Sequence, residues 1–478
     1  MPTPGHETAL VDAIQAPGND SDTGLLLVIG ETHRGPETPV EINSAADRDL
    51  IFGPRQAYGV LHDMLDVFFN TGGTRAIVSR VVSSTAVAAT RDIAGTSGNS
   101  LKATATSTGD WGNALSVAVT ANGSTRRVVV TDQGTGATLE QTPEFSTLAD
   151  FVGWTGTYIK LTAGSGTGLP PAAAAAALTG GASNRGSIDT AAYVTAANRF
   201  TPEHGIGQLA VPGVFTEQVH LAILALANTT KTPRFAVLDL DPTMTASQKT
   251  AYLANLKLNG HWGTAIVSRV LVRGTDGGTR YASGSGFFCG RAAYTDSVAG
   301  PGQAPAGQDY GEHRYILDVE DTYTDDQRGL LNTAGGVCIA RVNGRPRLYG
   351  ARSLANTALH PAFKWLTTAR VTMAFKANAD DILESHVLRR NLSPERIALG
   401  NELTGLAEQF LEDDNLDGGP SKLPELAYRI DTSDAVNTQA SIDDGWIRAD
   451  AEIRPPNVAE RVRLNLAVQV PGGTVSGV

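Results

Sequence analysis

The chain has 478 residues, 41% of them hydrophobic and 18% charged, which suits about two to four folded domains and excludes a disordered chain. Thirty-eight basic against 49 acidic residues leave a net charge of −11, so no overall electrostatic pull toward nucleic acid or an anionic membrane is expected. Two cysteines, Cys289 and Cys338, are too few for a disulfide framework or a zinc site of their own. Residues 1–22 are polar apart from Leu10, Val11 and Ile14, a short strand-like cluster. They show neither a basic start nor an apolar core, so no secretion signal is expected, and no apolar run reaches the ~20 residues that cross a bilayer. Residues 25–29 are continuously apolar and end at Gly30, the pattern of a strand buried on both faces. Tyr58, Leu61, Leu65 and Phe68 share one helical face, stopped by Gly72 and Gly73, and residues 76–82 read as the next strand. Strand, helix, strand in this order is a βαβ unit.

From residue 83 to about 181 the texture turns to Thr, Ser and Gly. Short strands are expected at 115–120, 127–131 and 158–161, with a hairpin signal at Asn122-Gly123. This predicts a small β domain inserted into the α/β core. It closes with Pro170-Pro171 and a run of alanines, for which a short surface helix or connector is expected. The α/β texture then resumes: helices around Val219–Leu226 and Tyr252–Leu256, strands at 235–239 and 264–267, and a mostly helical region over 361–413. Ser393-Pro394-Glu395 predicts a helix start with Ser393 as its cap, and Leu399, Leu403, Leu406 and Phe410 mark its apolar face. After Arg454-Pro455-Pro456, the residues Val462, Leu464, Leu466, Val468 and Val470 alternate with mostly polar neighbours. That is a period-two strand at the end of a stiff linker. Periodicity leaves two partners open, the subunit's own sheet or a neighbouring subunit's.

Enzymatic and metal motifs lean toward structure. There is no P-loop, dinucleotide fingerprint, zincin or nucleophile-elbow pattern. A divergent α/β hydrolase built on Asp22 and His261 is the alternative reading, but Asp22 precedes its strand. The Gly-Thr-Ser at residues 95–97 lies in the insertion, so the three groups of a triad do not converge. Asp413-x-Asn415-x-Asp417-Gly418 starts like a calcium loop but carries Pro424 at its twelfth position. In the acidic stretch Asp318, Glu320, Asp321, Asp325 and Asp326, the Thr324-x-x-Gln327 spacing predicts a capping box rather than a divalent site. No cofactor, catalytic residue or metal ligand is expected.

An ordered set of short motifs then carries a family resemblance. Gly24 to Gly30, Arg34-Gly-Pro36, Pro39-Val40, Ile51-Phe-Gly53, Phe68 to Gly73 and Ala76 to Arg80 open it. Gly109-Asp-Trp-Gly-Asn113, Leu178-Thr-Gly-Gly181, Pro212-Gly213 and Ala304-Pro-Ala-Gly307 follow. Leu330-Leu-Asn332 with Gly335-Gly-Val337 and Tyr349-Gly-Ala-Arg-Ser353 is the most specific block, before Glu452-Ile-Arg-Pro-Pro456 and Glu460. The sequence thereby resembles contractile tail sheath proteins. The resemblance implies an α/β core of subtilisin-like topology without a triad, an inserted mostly-β domain and extended terminal arms. It implies a structural subunit, not an enzyme, that polymerises around a tail tube and contracts from a metastable extended state, in a phage or in a bacterial contractile injection system.

The implied partners are other copies of the chain, the tube protein, and baseplate and tail terminator proteins, without nucleic acid or membrane insertion. The implied location is a virion tail assembled in the host bacterial cytoplasm. Strand exchange carries over to Leu10, Val11 and Ile14 and to Val462, Leu464, Leu466, Val468 and Val470, with hinges expected near residues 21–24 and 454–457. The expected division is an N-terminal arm (1–22), core (23–82), inserted β domain (83–182), core again (183–360), an α+β region (361–457) and a C-terminal arm (458–478).

Overall fold

The computed structural model describes residues 22–229, 232–257, 262–274 and 277–464. In chain order, β1 (Leu26–Glu31), β2 (Val40–Ile42), α1 (Ala45–Phe52), α2 (Val60–Thr71) and β3 (Ala76–Val81) come first. The insertion follows with β4 (Thr90–Ala94), β5 (Asn99–Ala105), β6 (Leu115–Asn122), β7 (Thr125–Asp132), β8 (Thr138–Gln141), α3 (Leu148–Phe151), β9 (Ile159–Ala163) and β10 (Ala173–Ala177). The core resumes with α4 (Thr190–Asn198), β11 (Gln208–Ala210), α5 (Glu217–Ala227), β12 (Phe235–Asp239), α6 (Ala246–Lys257) and β13 (Gly263–Ile266). Next come β14 (Val270–Arg273), β15 (Thr279–Ala282), α7 (Gly284–Ala299), α8 (Gly307–Tyr310), β16 (Asp318–Val319), α9 (Asp325–Thr333), β17 (Gly336–Val342) and β18 (Arg345–Tyr349). The C-terminal region has α10 (Leu366–His386), α11 (Ser393–Glu412) and a ribbon of β19 (Tyr428–Asp431) and β20 (Asp450–Ile453).

The central sheet has eight strands in the order β18-β17-β13-β12-β11-β1-β3-β2. All its pairings are parallel except those of the two edges, β2 on β3 and β18 on β17. Period-two geometry explains the unbroken apolar run of β1. Leu26 and Val28 point into a core shared with Met64, Phe68, Phe287 and Met373 of α2, α7 and α10. Leu27 and Ile29 point into the opposite core, against Ala196, Ile223, Leu253 and Leu331 of α4, α5, α6 and α9. Thr324 and Gln327 close the capping box at the start of α9 as expected.

Two antiparallel sheets, β10-β6-β7-β8 and β4-β5-β9, make the insertion. They enclose one apolar cluster that includes Leu101, Trp111, Val117, Val128, Phe151 and Ile159. Arg80 fastens it to the core by donating to the carbonyls of Gly35 and Thr108 at 3.1 and 2.9 Å. The Arg34 guanidinium lies 4.6 Å from the centre of the Tyr158 ring.

Three local expectations are corrected. The alanine run is an edge strand, Ala176 pairing with Val117 and Ala177 with Ser116. Beside the open edge of β6 the run gains ladder hydrogen bonds that outweigh alanine's helix propensity. Tyr58 lies just ahead of its helix, which begins after Gly59. The cap of α11 is Leu392, not Ser393; Ser393 and Pro394 already belong to the first turn, where a proline costs no hydrogen bond.

Helices α2 and α7 touch through glycines one turn apart. A Cβ on Gly286 would lie 2.7 Å from the Met64 carbonyl oxygen, and one on Gly290 would lie 2.1 Å from the Thr71 hydroxyl. A Gly290→Ala substitution should therefore overpack this contact and cost about 1–3 kcal/mol in urea unfolding of the isolated subunit. An unchanged midpoint would show that the two helices can move apart without cost.

Candidate assembly interface

Past β20 the chain does not leave the body at the prolines. The Arg454 amide donates to the Ala427 carbonyl, and the Asp417 amide donates to the Arg454 carbonyl, both at 2.8 Å. The Arg454 guanidinium pairs with Asp417 at 3.0 Å. Pro455 and Pro456 keep the next residues extended, so Asn457 reaches the Trp365 indole, which donates to its side-chain oxygen at 3.1 Å. Val458 packs on the core. Glu460 then accepts from Arg352 Nε and Nη2 at 2.8 and 2.6 Å and from the Asn332 amide at 2.7 Å. Burial works to raise the Glu460 pKa, but the hydrogen bonds from Arg352 and Asn332 outweigh it and hold the carboxyl below its usual range. Asn332, Tyr349, Gly350 and the strap at residues 457–460 line a groove of about 480 Å³. The most specific motif block of the sequence is thus the seat of this strap.

The N-terminal root is fixed in the same manner. The Gly24 amide donates to the Asp22 carboxylate at 2.9 Å, and the Leu25 amide to the Asp22 carbonyl at 3.2 Å. The Thr23 hydroxyl donates to Asp296, which also holds the fully buried Arg370. Burial raises the Asp296 pKa, against the pull of Arg370 and Thr23. The hinges expected at 21–24 and 454–457 are therefore corrected. Residues 22–24 and 454–460 are tethered by these bonds, and Ser21 lies outside the described residues.

Beyond Glu460 the body lets go. Val462 and Leu464 are 94% and 83% exposed, and neither belongs to any strand pairing among the described residues. Leu466, Val468 and Val470, like Leu10, Val11 and Ile14, lie outside the described residues. Among the described residues ribbon β19–β20 pairs only with itself, Tyr428 opposite Ile453 and Asp431 opposite Asp450. One of its faces rests on α11 through Tyr428, Ile430 and Ile453.

The remaining candidates resolve into structural contacts. Asp318, Glu320, Asp321 and Asp325 each pair with a cation: Arg341, Arg269, Lys249 and Arg328. Among the described residues no group of three or more His, Cys, Asp or Glu could hold a metal. Asp22 serves the N-terminal root, Ser97 pairs with Thr167 within the insertion, and His261 lies outside the described residues. Sequence reasoning missed a buried cluster in which Asp239 accepts from the Ser283 and Ser285 hydroxyls and the Ser285 amide at the start of α7. Its members are 5% exposed or less, which makes it a helix cap rather than an open site.

Residues 72–184 match the family described as phage tail sheath protein beta-sandwich domain. Residues 72–184 are thus similar to a tail sheath β-sandwich domain, and the chain around them has a tail sheath fold. That whole-chain fold is shared with the sheath tail protein of Desulfitobacterium hafniense, at 14% identity over 89% of this chain and 93% of that one, TM-score 0.60. The contracted PVC sheath of an extracellular contractile injection system matches at 12% identity over 98% and 99%, TM-score 0.60. The contracted helical sheath of the anti-feeding prophage matches at 13% identity over 97% and 99%, TM-score 0.59. No curated protein matches the sequence.

The strap yields a signed pH dependence. Because the folded pKa of Glu460 is depressed, its contribution is present above the ordinary value of 4.5 and is lost as pH falls through the folded value. Glu460→Gln should speed amide exchange of residues 457–464 roughly tenfold at pH 6, as expected for loss of a charged hydrogen bond. The difference from the native chain should vanish well below pH 4.5. Equal exchange at pH 6 would mean that the strap does not depend on Glu460.

Proposed function

We propose that this protein is the repeating subunit of a contractile tail sheath, polymerising helically around a tail tube and driving it through a target envelope on contraction. One observation carries the reading. In a chain with the sheath fold, residues 461–464, the described start of the period-two stretch, leave the body after Glu460 with no strand pairing among the described residues. Ribbon β19–β20 is the receiver best suited to it. A two-stranded ribbon is marginal alone, and its outer edges present unpaired amides and carbonyls. A neighbour's residues 462–470 would extend one edge, and residues 10–14 of another copy would extend the other.

The core supports the finer reading of a subtilisin-like arrangement, since its parallel strands run outward in both directions from β1. Contraction then needs no nucleotide. Bodies trapped in an extended lattice relax to a shorter, wider one, turning about arm segments outside residues 22–460 while the exchanged strands stay paired. A bias of a few kcal/mol per subunit suffices when many act together. Tube, baseplate and terminator proteins are the implied partners. The particle is assembled in a bacterial cytoplasm, as a phage tail or, as the injection-system structures favour equally, as an injection machine.

A chain ending at Glu460 should fold with native thermal stability, because the described residues it loses are exposed, yet remain monomeric by sedimentation where the full chain forms tubes. Tubes of normal length from the truncated chain would refute strand exchange by this arm.

A further inference from the structure

The turn joining α10 to α11 is an unusual surface. Val387, Leu388 and Leu392 are 56%, 101% and 57% exposed, and Ile397 on the first turns of α11 is 58% exposed. Leu388 sits in the left-handed region at φ 64°, a conformation that costs a bulky residue energy and marks a functional constraint more often than chance. Between the leucines are Arg389, bound to Glu395 at 3.1 Å, and Arg390, exposed and without an acidic partner among the described residues. Trp446, 59% exposed, is held beside this tip by Asn391, whose amide donates to its carbonyl at 2.8 Å. An apolar cluster of this kind on a soluble body is an interaction surface.

The other end of α11 carries the complement. Glu412, Asp413 and Asp414 are exposed there, and they rim an open groove of about 780 Å³ whose wall includes Val298, Pro301 and Pro456. Among the described residues only Asp414 of the three has a cation, Lys422 at 2.8 Å. Twenty residues of α11 separate tip from groove by about 30 Å, so no copy can fill its own groove with its own tip. On a chain of net charge −11, Arg390, the cation of the tip with no acidic partner among the described residues, meets its opposite sign in the exposed Glu412 and Asp413 of a second copy of the same chain.

We propose that the apolar, arginine-bearing α10–α11 tip of one subunit docks into the acidic groove at the far end of α11 in the next. The contact is head-to-tail, and repetition of such a contact builds a filament rather than a closed dimer. Because Pro456 and Asn457 form part of the groove wall, the docked tip also bears on the root of the C-terminal arm. This contact rests on the sheath reading for the polymer in which it works, but it uses a surface separate from the exchanged strands.

The test is a charge reversal on full-length chain: Arg389→Glu with Arg390→Glu on the tip, and Asp413→Arg with Asp414→Arg on the groove. Each variant alone should raise the critical concentration for sheath formation at least ~tenfold through like-charge contact, and a one-to-one mixture of the two should restore assembly by alternation. Native-like assembly of either variant alone overturns the proposal. So does a tip variant that forms normal sheaths without tube and fails only to grow on tubes, which would assign the tip to the tube protein. If wild-type chain forms no sheath, the sheath reading fails instead. The contact is then judged by sedimentation equilibrium, where weak self-association lost in each variant and regained in the mixture supports it, and its absence from wild type overturns it.

Discussion

A β-strand gains its stability by pairing its amides and carbonyls with another strand, and among the described residues the start of the C-terminal arm, residues 461–464, has no such pairing. Arg352 and Asn332 hold Glu460 firmly, and two residues later Val462 stands almost wholly in water. The edge strand of the main sheet on that side is β18, hairpinned to β17 and bridged on its outer side at Arg347 by Glu312. Water can satisfy the exposed backbone of residues 461–464, whereas under the proposed strand exchange the alternating apolar side chains gain burial on another subunit's sheet. On that proposal, polymerisation is the completion of each fold rather than an addition to it.

The body between the arms is suited to act as a rigid lever. Its central sheet is covered on both faces, and α7 lies against α2 at glycine contact, so it transmits strain instead of absorbing it. Of the two points of departure, Glu460 is tied to half-buried Arg352, and Thr23 to Asp296, which holds the buried Arg370. On the proposed mechanism a change of lattice is taken up outside residues 22–460 and in contacts between bodies.

Much of this was legible in the sequence where periodicity or local spacing carries the signal. The run at residues 25–29 announced a doubly buried strand, and Thr324 with Gln327 announced a helix start that the structure repeats atom for atom. The alanine run misled because a helix former placed beside the open edge of β6 gains more from pairing there. Ribbon β19–β20 was invisible, its sequences YRID and DAEI being short and largely polar. The arm anchors were invisible too, since Arg352 and Glu460 are 108 residues apart and only the fold brings them together. The motif block around Tyr349 to Ser353 marked the place without showing its purpose.

The decisive measurement is a helical cryo-EM reconstruction of the assembled chain at a resolution that traces the backbone. The account predicts continuous density from Glu460 of one subunit into a strand, residues 462–470, hydrogen-bonded to β19 or β20 of a neighbour. Density that instead turns back and pairs residues 462–470 with a sheet of their own subunit would contradict it.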